Sequence, residues 1–481
     1  MNVLNREQMI EEYMSSGNAL LMLALAVGVV VIIAYNLPTI RRERLPKIKM
    51  RYLVAGGVLI RLVMMLDSAW YDEAFTGAVA RVPLAELHRV VISDVHPPTW
   101  YALSHIVGAV FGYGDFALRL PALGFGLISI VLAYFLALAS GNQRTAMITV
   151  IILLYLPNHI FYSAEARQYT LLACAVLLVM VAIHRRMSLI PVIATLPYIH
   201  SYGFLYMGLL GVYAVIKHPK LLPLIAVSGL LGMTYLPIML AQSSDVSNGF
   251  WLPDFTLGKS LEFITDMIGA RVTPDGAIVP FAVAIGITLW ALWRWRWRSW
   301  GVPMIAVGVP MIAVALSLTW HNIYLVRALL PCQILMVIIW ANALSKTKSS
   351  MPVMAITGAV AVALIIAPDV HKPNWRDILT VCDEDMPIFA TSTSTAIIAR
   401  HYSDEVMVWA RGDDLNQTLS DDAKLALGLF IANAIPRPAC VVQMTNGSSD
   451  RTQNAMTSNY PLIAIYDRFK RISRITVYEY Q

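Results

Sequence analysis

Long apolar stretches recur from near the start of the chain to Ala367, and they limit its fold more than any other feature. An α-helix needs about 20 apolar residues to cross the roughly 30 Å hydrocarbon core of a bilayer. Stretches that approach or reach this length lie near residues 19–36, 52–66, 117–139, 146–162, 169–183, 188–199, 201–216, 221–240, 279–293, 301–319, 326–344 and 351–367. The sequence therefore predicts an all-α polytopic membrane domain with about twelve transmembrane helices.

Composition indicates the same class of protein. Hydrophobic residues make up 58% of the chain and charged residues 14%, whereas soluble domains carry roughly 25% charged residues. A chain of this size with so few charges cannot cover the surface of a soluble enzyme. The net charge of +6 is spread between apolar stretches instead of lying on one polar face, so no nucleic-acid partner is expected.

Charge density divides the chain near Ala367. Residues 1–367 hold 41 charged side chains, whereas the much shorter segment 368–481 holds 25. We therefore expect an additional N-terminal membrane anchor at 1–45, a membrane domain at 46–367 and a small α/β domain at 368–481. In this last domain we expect strands near 386–390, 406–410, 439–444 and 475–480, and helices near 394–402, 421–434 and 460–470.

The four cysteines define no disulfide framework and no metal-binding motif. Cys174 and Cys332 lie within apolar stretches, whereas Cys382 and Cys440 lie in the C-terminal segment. A single bridge between Cys382 and Cys440 is permitted in an oxidising compartment, and two separate thiols are the alternative.

Basic residues predict the orientation of the membrane domain. Short cytoplasmic loops collect Lys and Arg, and six such residues lie between Arg41 and Arg51. Alternate later loops are also basic, whereas almost all acidic residues of the membrane part fall on the other side. This places segments 67–116, 241–278 and 368–481 outside the cytoplasm, in a plasma (inner) membrane protein. Within the first segment, residues 74–91 and 98–110 predict interfacial helices separated by His96-Pro97-Pro98.

The adjacent carboxylates of Asp72 and Glu73 are the first candidate for chemistry, because they lie just outside the second predicted span. One carboxylate could act as a general base while the other binds substrate or metal. The structural alternative is that both acids begin the following helix, where the helix dipole favours negative charge.

Further polar residues fall at predicted outer ends of spans. His96 could contact a phosphate or a metal, or it could cap a helix. Glu165 and Arg167 are either functional or paired with each other. Arg327 could steady an anionic leaving group, since a guanidinium matches phosphate geometry. Its structural alternative is snorkelling, which we also expect of Arg61 and Arg119. Other polar residues at these ends are His200, His321 and Tyr324.

Four motifs in a fixed order carry a resemblance to a known family. They are Tyr71-Asp72-Glu73, His96-Pro97-Pro98-Thr99-Trp100-Tyr101, Phe116-Ala117-Leu118-Arg119-Leu120-Pro121 and Tyr162-Ser163-Ala164-Glu165-Ala166-Arg167-Gln168-Tyr169, and Pro373-Asn374-Trp375-Arg376-Asp377 follows the last span. This order resembles the GT-C class of polyprenyl-phosphate-sugar-dependent glycosyltransferases. The similarity is closest to the protein O-mannosyltransferase and lipid A aminoarabinose transferase superfamily, and it covers about residues 50–380.

The resemblance implies a GT-C fold and transfer of a sugar, with inversion, from a polyprenyl phosphate to an acceptor hydroxyl on the outer face of the membrane. The acceptor would be a glycan, a lipid or a protein. In the matching positions, Asp72 would be the base and Glu73 would orient a substrate. The donor phosphate or sugar would be bound by His96, Glu165, Arg167, Tyr169 and Arg327. The resemblance favours no cofactor, although some relatives use a divalent metal.

Two other classes of function remain as alternatives. A multi-pass transporter or lipid flippase would place charged residues near the middle of its spans and show paired broken helices in two halves. A membrane-anchored binding protein would use the C-terminal segment and tolerate changes at Asp72, His96 and Glu165. The location of the candidate residues at one face favours the glycosyltransferase.

Overall fold

The fold is described from a computed structural model. It describes residues 49–91, 94–185, 190–246, 255–256, 263, 267, 278–295, 299–347, 375–380, 382, 386–390, 393–403, 406–408, 427, 439–445, 462–469 and 472–480. The chain divides into two compact units. The first comprises Met1–Met64, His96–Leu103 and Arg119–Ile366, and the second comprises Met65–Val95, Ser104–Leu118 and Ala367–Gln481.

Most described residues are helical. In chain order the α-helices are α1 (Lys49–Met64), α2 (Tyr71–Arg81), α3 (Leu87–Val91), α4 (Thr99–Phe111), α5 (Asp115–Ser140), α6 (Gln143–Tyr155), α7 (Pro157–Ser163), α8 (Tyr169–Arg185), α9 (Leu196–Ile199), α10 (Gly203–Lys217), α11 (Leu222–Met233), α12 (Leu236–Val246), α13 (Ile278–Arg294), α14 (Gly301–Thr319), α15 (Leu330–Leu344), α16 (Trp375–Leu379) and α17 (Thr393–Tyr402). Short 3-10 helices cover Ile190–Thr195, Pro219–Leu221 and Val326–Leu329.

Several of these helices are apolar enough to cross a membrane. Among the described residues, four qualify by length and composition, namely Asp115–Ser140, Pro219–Gln242, Gly301–Thr319 and Val326–Leu344, and a bent pair brings the number to five. The spans expected at 19–36 and 351–367 lie outside the described residues. The span expected at 188–199 is a short helix over Ile190–Ile199. At about 1.5–2.0 Å rise per residue, that helix is too short to cross the hydrocarbon core.

Two helices form the centre of the first unit. Residues 169–183 of α8 are all buried, and residues 330–343 of α15 are buried as well. A helix that is apolar on every side is enclosed by other helices when it lies in the core of a large protein. Helices α8 and α15 pack against each other, and α15 also packs against α6, α13 and α14.

The span expected at 146–162 is broken. Helix α6 begins after Asn142, whose side chain accepts a hydrogen bond from the backbone N–H of Thr145 at 2.9 Å. It ends at Tyr155, and α7 continues from Pro157 at an angle of 62°. Proline has no backbone N–H, so the carbonyl of Leu153 loses its helical partner and the helix bends.

The fully buried side chain of Arg61 replaces that missing donor. Its Nη2 lies 3.0 Å from the Leu153 carbonyl, and its Nη1 lies 2.8 Å from the Leu154 carbonyl. Nη2 also donates to His159 Nδ1 at 2.9 Å, and His159 Nε2 contacts Ser129 Oγ at 2.9 Å. The expectation that Arg61 snorkels to the interface is therefore wrong, because its guanidinium is enclosed by protein and bonds a broken helix.

The expectation that Arg119 snorkels to the interface is also wrong. Its side chain is fully buried near the start of α5. An arginine that snorkels carries its guanidinium into the watery interface, whereas here the whole side chain is enclosed by protein.

In the second unit, the described strands form one five-stranded sheet with the order β2-β1-β3-β5-β4. The strands are β1 (Ile388–Ala390), β2 (Val406–Val408), β3 (Ala439–Thr445), β4 (Leu462–Phe469) and β5 (Ile472–Tyr480). Strand β1 pairs in parallel with β2 and β3, whereas β5 pairs antiparallel with β3 and β4. Helix α17 packs on this sheet and also against α2.

The helix expected at 460–470 is wrong, because Leu462–Phe469 is the strand β4. Its backbone pairs with β5 in an antiparallel ladder, with an irregularity between Leu462 and Ala464. The helix expected at 421–434 lies almost entirely outside the described residues. Cys382 and Cys440 form a disulfide, which selects one of the two alternatives left open by the sequence.

Replacing Arg61 with Met should destabilise the first unit. The change leaves the carbonyls of Leu153 and Leu154 buried without the donor, which costs about 3 kcal/mol in the free energy of unfolding. Unfolding in mixed micelles of increasing SDS fraction measures this. Arg51→Met on the same helix is the matched control, because Arg51 is exposed. Equal unfolding midpoints for the two variants would contradict the role given to Arg61.

Candidate functional site: a cationic cluster

Two side chains of the motif that begins at His96 hold this segment in the first unit. Thr99 Oγ1 donates to the Tyr198 carbonyl at 2.5 Å, and Trp100 Nε1 donates to the Ala166 carbonyl at 2.9 Å. Pro97 and Pro98 restrict the backbone before α4. The two side chains that follow the prolines therefore fix the His96 turn to the loop before α8 and to the end of α9.

Arg167 lies against His96 as a result. Arg167 Nη2 is 2.9 Å from His96 Nε2 and 3.1 Å from His96 Nδ1. A guanidinium only donates hydrogen bonds, so the ring nitrogen that accepts must be unprotonated. His96 is therefore a neutral imidazole in this contact, and the fixed positive charge beside it belongs to Arg167, which is 2% exposed.

His200 is the third member of the cluster. The backbone N–H of Tyr202 donates to His200 Nδ1 at 3.1 Å, so the proton of the neutral ring resides on Nε2. Burial, reinforced by the positive charges of the nearby side chains, lowers the pKa of His200 well below its usual value. Within the part of the chain that is described, the buried Nε2 has no hydrogen-bond partner. The Nε2–H of His200 is thus a buried donor in a ring that lies beside those of His96 and Tyr169.

The turn that carries His200 is tight. The backbone N–H of Gly203 donates to the His200 carbonyl at 2.7 Å. A Cβ atom at Gly203 would lie 2.0 Å from the Leu196 carbonyl oxygen, closer than any side chain permits. Glycine is therefore required where α9 turns into α10, and this close approach sets the position of His200.

Arg327 reaches the cluster from the other side. The Tyr202 hydroxyl donates to the Ile323 carbonyl at 2.6 Å and accepts from the Leu325 N–H at 2.9 Å. The Tyr206 hydroxyl donates to the Ala328 carbonyl at 3.0 Å. These bonds hold the 3-10 turn that contains Arg327, and the guanidinium carbon lies 5.6 Å from the centre of the Tyr169 ring.

Aromatic contacts connect the members. The Tyr169 ring lies 5.9 Å from that of His200, and His200 lies 5.9 Å from His96 with the rings perpendicular. The cluster thus runs from Arg327 through Tyr169, His200 and His96 to Arg167. It brings together four residues predicted from the sequence and adds His200.

Glu165 lies next to the cluster in sequence, with its side chain 1% exposed. Its backbone carbonyl accepts from the N–H of Arg167 at 2.7 Å, which shapes the loop before α8. With both histidines neutral, the cluster carries the guanidinium charges of Arg167 and Arg327, and the neighbouring Glu165 adds one carboxylate, so the formal charge of these residues is positive. Buried positive charge is stable only with anionic or hydrogen-bonding partners, so this arrangement is suited to binding an anion.

Asp72 and Glu73 lie in the second unit, in the first turn of α2. Glu73 is 2% exposed, and its Oε2 accepts from the backbone N–H of Trp70 at 3.4 Å, as in a capping box. Asp72 is half-buried, and its backbone carbonyl accepts from Thr76 Oγ1 at 2.9 Å. The capping alternative therefore applies to Glu73, whereas Asp72 is the more accessible carboxylate of the pair.

Two other residues at outer ends are not part of the cluster described above. His321 is exposed and lies beside the Trp320 ring, whereas Tyr324 is buried against Phe255. Among the residues that the structure describes, no three His, Cys, Asp or Glu side chains come together as a metal site would require.

Comparisons with known proteins identify a family similarity and a fold. Residues 95–234 match the family model described as dolichyl-phosphate-mannose-protein mannosyltransferase. The chain carries a GT-C glycosyltransferase domain. Enzymes of this class use sugars linked to polyprenyl phosphates. The matched residues include His96, Glu165, Arg167, Tyr169 and His200. No curated protein matches the chain in sequence.

Solved structures show the same fold. The apo structure of ArnT from Cupriavidus metallidurans is 14% identical, with a TM-score of 0.59, over 90% of this chain and 98% of that protein. The ArnT structure bound to undecaprenyl phosphate is also 14% identical, with a TM-score of 0.54, over 89% of this chain and 97% of that protein. The GT-C fold expected from the sequence is thus confirmed.

Sequence reasoning missed some of the residues that build this domain's cluster. Thr99 and Trp100 stand in the quoted motif, but their hydrogen bonds join segments that are distant in sequence. His200 was noted only as a polar residue at an outer end. Its position between two apolar stretches and next to Gly203 is the signal that could have identified it.

Glu73 should stabilise the first turn of α2 through its bond to Trp70. Glu73→Ala removes the acceptor, which costs about 1 kcal/mol and corresponds to about fivefold faster amide exchange in that turn. Glu73→Gln keeps an acceptor oxygen and is the matched control. Hydrogen exchange of the peptide that covers residues 68–77 measures both. Equal exchange rates for Ala and Gln would show that the capping contact contributes nothing.

Proposed function

We propose that the protein is an inverting glycosyltransferase that moves a sugar from a polyprenyl-phosphate donor to an acceptor hydroxyl on the outer face of the membrane. The observation that carries this proposal is the cluster of buried Arg167 and His200 with half-buried Arg327 within a GT-C domain. A lipid phosphate is the anion that such a site in a membrane domain would meet. The GT-C domain does not favour the transporter or flippase alternative.

In this proposal the cluster binds the donor phosphate. Arg167 and Arg327 supply positive charge, and His200 Nε2–H supplies a hydrogen bond. His96 accepts from Arg167 and so orients its guanidinium. As the bond between C1 of the sugar and the phosphate oxygen breaks, negative charge builds on the phosphate. Donors already fixed around that position stabilise the charge without reorganisation.

Asp72 is the general base of the proposed reaction. It removes the proton from the acceptor hydroxyl as the oxygen attacks C1 from the face opposite the phosphate, which inverts the configuration. Its greater accessibility supports this choice over Glu73, whose carboxylate caps α2. Glu165 and Tyr169 are then assigned to the sugar and phosphate side of the site. The acceptor is a glycan, lipid or protein hydroxyl.

Two observations support an outer-face site in the inner membrane. Basic residues predict that segment 67–116, which contains Asp72, lies outside the cytoplasm. The disulfide between Cys382 and Cys440 belongs to the same compact unit as Asp72, and disulfides persist in oxidising compartments. We accordingly also propose a membrane domain at 46–367, an additional anchor at 1–45 and an extracytoplasmic domain at 368–481.

The proposal is tested by following transfer of a radiolabelled sugar from a panel of polyprenyl-phosphate sugars to acceptors in native membranes. Asp72→Asn should lower the transfer rate about 10²- to 10⁴-fold, because the amide cannot take the proton. Asp67→Asn, in the same loop, is the matched control and should transfer at the wild-type rate. Transfer by Asp72→Asn at the wild-type rate would remove Asp72 as the base. Absence of transfer from every donor by folded wild type would refute the glycosyltransferase assignment.

His200 should contribute to donor affinity through Nε2–H alone. His200→Gln places an amide N–H near the Nε2 position, whereas His200→Asn keeps only an acceptor near the Nδ1 position for the Tyr202 N–H. A lost hydrogen bond to a charged group costs about 1.5–3 kcal/mol, so the Asn variant should bind polyprenyl phosphate about tenfold or more weakly. The Gln variant should bind within about threefold of wild type. Equal affinities for the Asn and Gln variants would contradict this assignment.

A further inference from the structure

The end of helix α17 is bonded to the segment that leads into α2, and both belong to the second unit. His401 and Tyr402, the last residues of α17, both bond the carboxylate of Asp115. His401 Nε2 lies 2.6 Å from Asp115 Oδ1, and the Tyr402 hydroxyl lies 2.9 Å from Asp115 Oδ2. The Asp115 side chain is 1% exposed and that of His401 is 3% exposed, so these bonds are shielded from water.

The Tyr402 hydroxyl connects this carboxylate to the backbone before α2. A carboxylate accepts, so the Tyr402 O–H donates to Asp115, and its oxygen lone pair is left to accept the backbone N–H of Ala69. Burial and the charge of Asp115 raise the pKa of Tyr402 above its usual value, so the hydroxyl keeps its proton. One side chain thereby anchors the residue immediately before Trp70, the N-cap of α2.

His401 fixes a second point on α2. Its ring lies against Gly77, where an added Cβ atom would come within 2.8 Å of His401 Cε1 and Nδ1. The absence of a side chain at Gly77 therefore allows α17 to pack this closely. The residues contacted by Tyr402 and His401, Ala69 and Gly77, lie on either side of Asp72 along the chain.

Helix α17 is itself firmly supported. It follows strand β1, which pairs in parallel with β3 over Ile388–Ala390. Strand β3 contains Cys440, which is bonded to Cys382. The sheet and the disulfide thus give α17 a rigid base from which its last two residues hold α2.

We propose that Tyr402 and His401 are positioning residues for the reaction, through which the C-terminal segment sets the location of the Asp72 carboxylate. This inference rests on the proposed function of Asp72 as the base. Bonds to the Asp115 carboxylate fix the positions of both side chains. Their contacts with Ala69 and Gly77 in turn fix the position of α2. A base displaced by about 1 Å loses up to about a hundredfold in rate, because proton transfer depends on alignment.

The test compares Tyr402→Phe and Gly77→Ala with wild type in the full-length, detergent-solubilised protein. The Phe variant removes the acceptor for the Ala69 N–H together with the hydroxyl that donates to Asp115, and the Ala variant pushes the His401 ring away from α2. Each should lower kcat about ten- to a hundredfold while the KM for the lipid donor stays within about twofold. Tyr134→Phe is the matched control, because it loses a hydroxyl bonded to Gln143 in the other unit, and its kcat should equal that of wild type.

Hydrogen exchange of the peptide covering residues 68–77 gives a readout that does not need activity. Tyr402→Phe should speed its exchange, whereas Tyr134→Phe should not. Wild-type kcat per folded molecule in both Tyr402→Phe and Gly77→Ala would overturn the proposal. If folded wild type transfers no sugar from any donor, the proposed function fails, and the exchange data alone decide on the anchor. In that case unchanged exchange in Tyr402→Phe would overturn it.

Discussion

Polar groups enclosed within an apolar bundle must be satisfied by other parts of the protein, and the membrane unit depends on this constraint. The break between α6 and α7 shows how it operates. Pro157 removes the partner of one carbonyl, and Arg61 from α1 restores a donor there. A side chain on one helix thus makes the bend of another possible. The same bend brings α7 to Ser163 and the loop with Glu165 and Arg167, so a structural arginine shapes the approach to the candidate site.

The residues that hold the loops of the candidate site follow the same rule. Backbone carbonyls of neighbouring loops accept hydrogen bonds from the side chains of Thr99, Trp100 and Tyr202. Those bonds make the loops rigid and leave the functional side chains to face one another. His200 Nε2 differs from these groups, since it is buried without a partner among the described residues. A buried donor left in this state costs free energy, and proteins accept such a cost where a ligand supplies the missing partner.

The sequence predicted the parts of this arrangement that depend on local pattern. Apolar length predicted the helices, and the order of motifs predicted the GT-C fold together with His96, Arg167, Tyr169 and Arg327 as neighbours in the membrane domain. The prediction from sequence failed where contacts between residues distant in sequence determine the structure. Arg61 looked like an interfacial arginine because the sequence does not reveal the broken helix that it bonds. Residues 460–470 have an apolar spacing compatible with a helix, but pairing with β5 makes Leu462–Phe469 a strand.

The cluster around His200 and the helix that carries Asp72 have different physical supports. Loops joined by α4, α8 and α10 hold the cluster, whereas α17 and its sheet hold α2. In the proposed reaction a lipid phosphate is bound before the chemical step and during it, so the first support would act on ground-state affinity as well as on the transition state. A base acts only as the proton moves, so the second support acts mainly on the rate of the chemical step. If the proposed roles hold, substitutions in the C-terminal segment should change how fast an acceptor reacts without changing how the donor is bound.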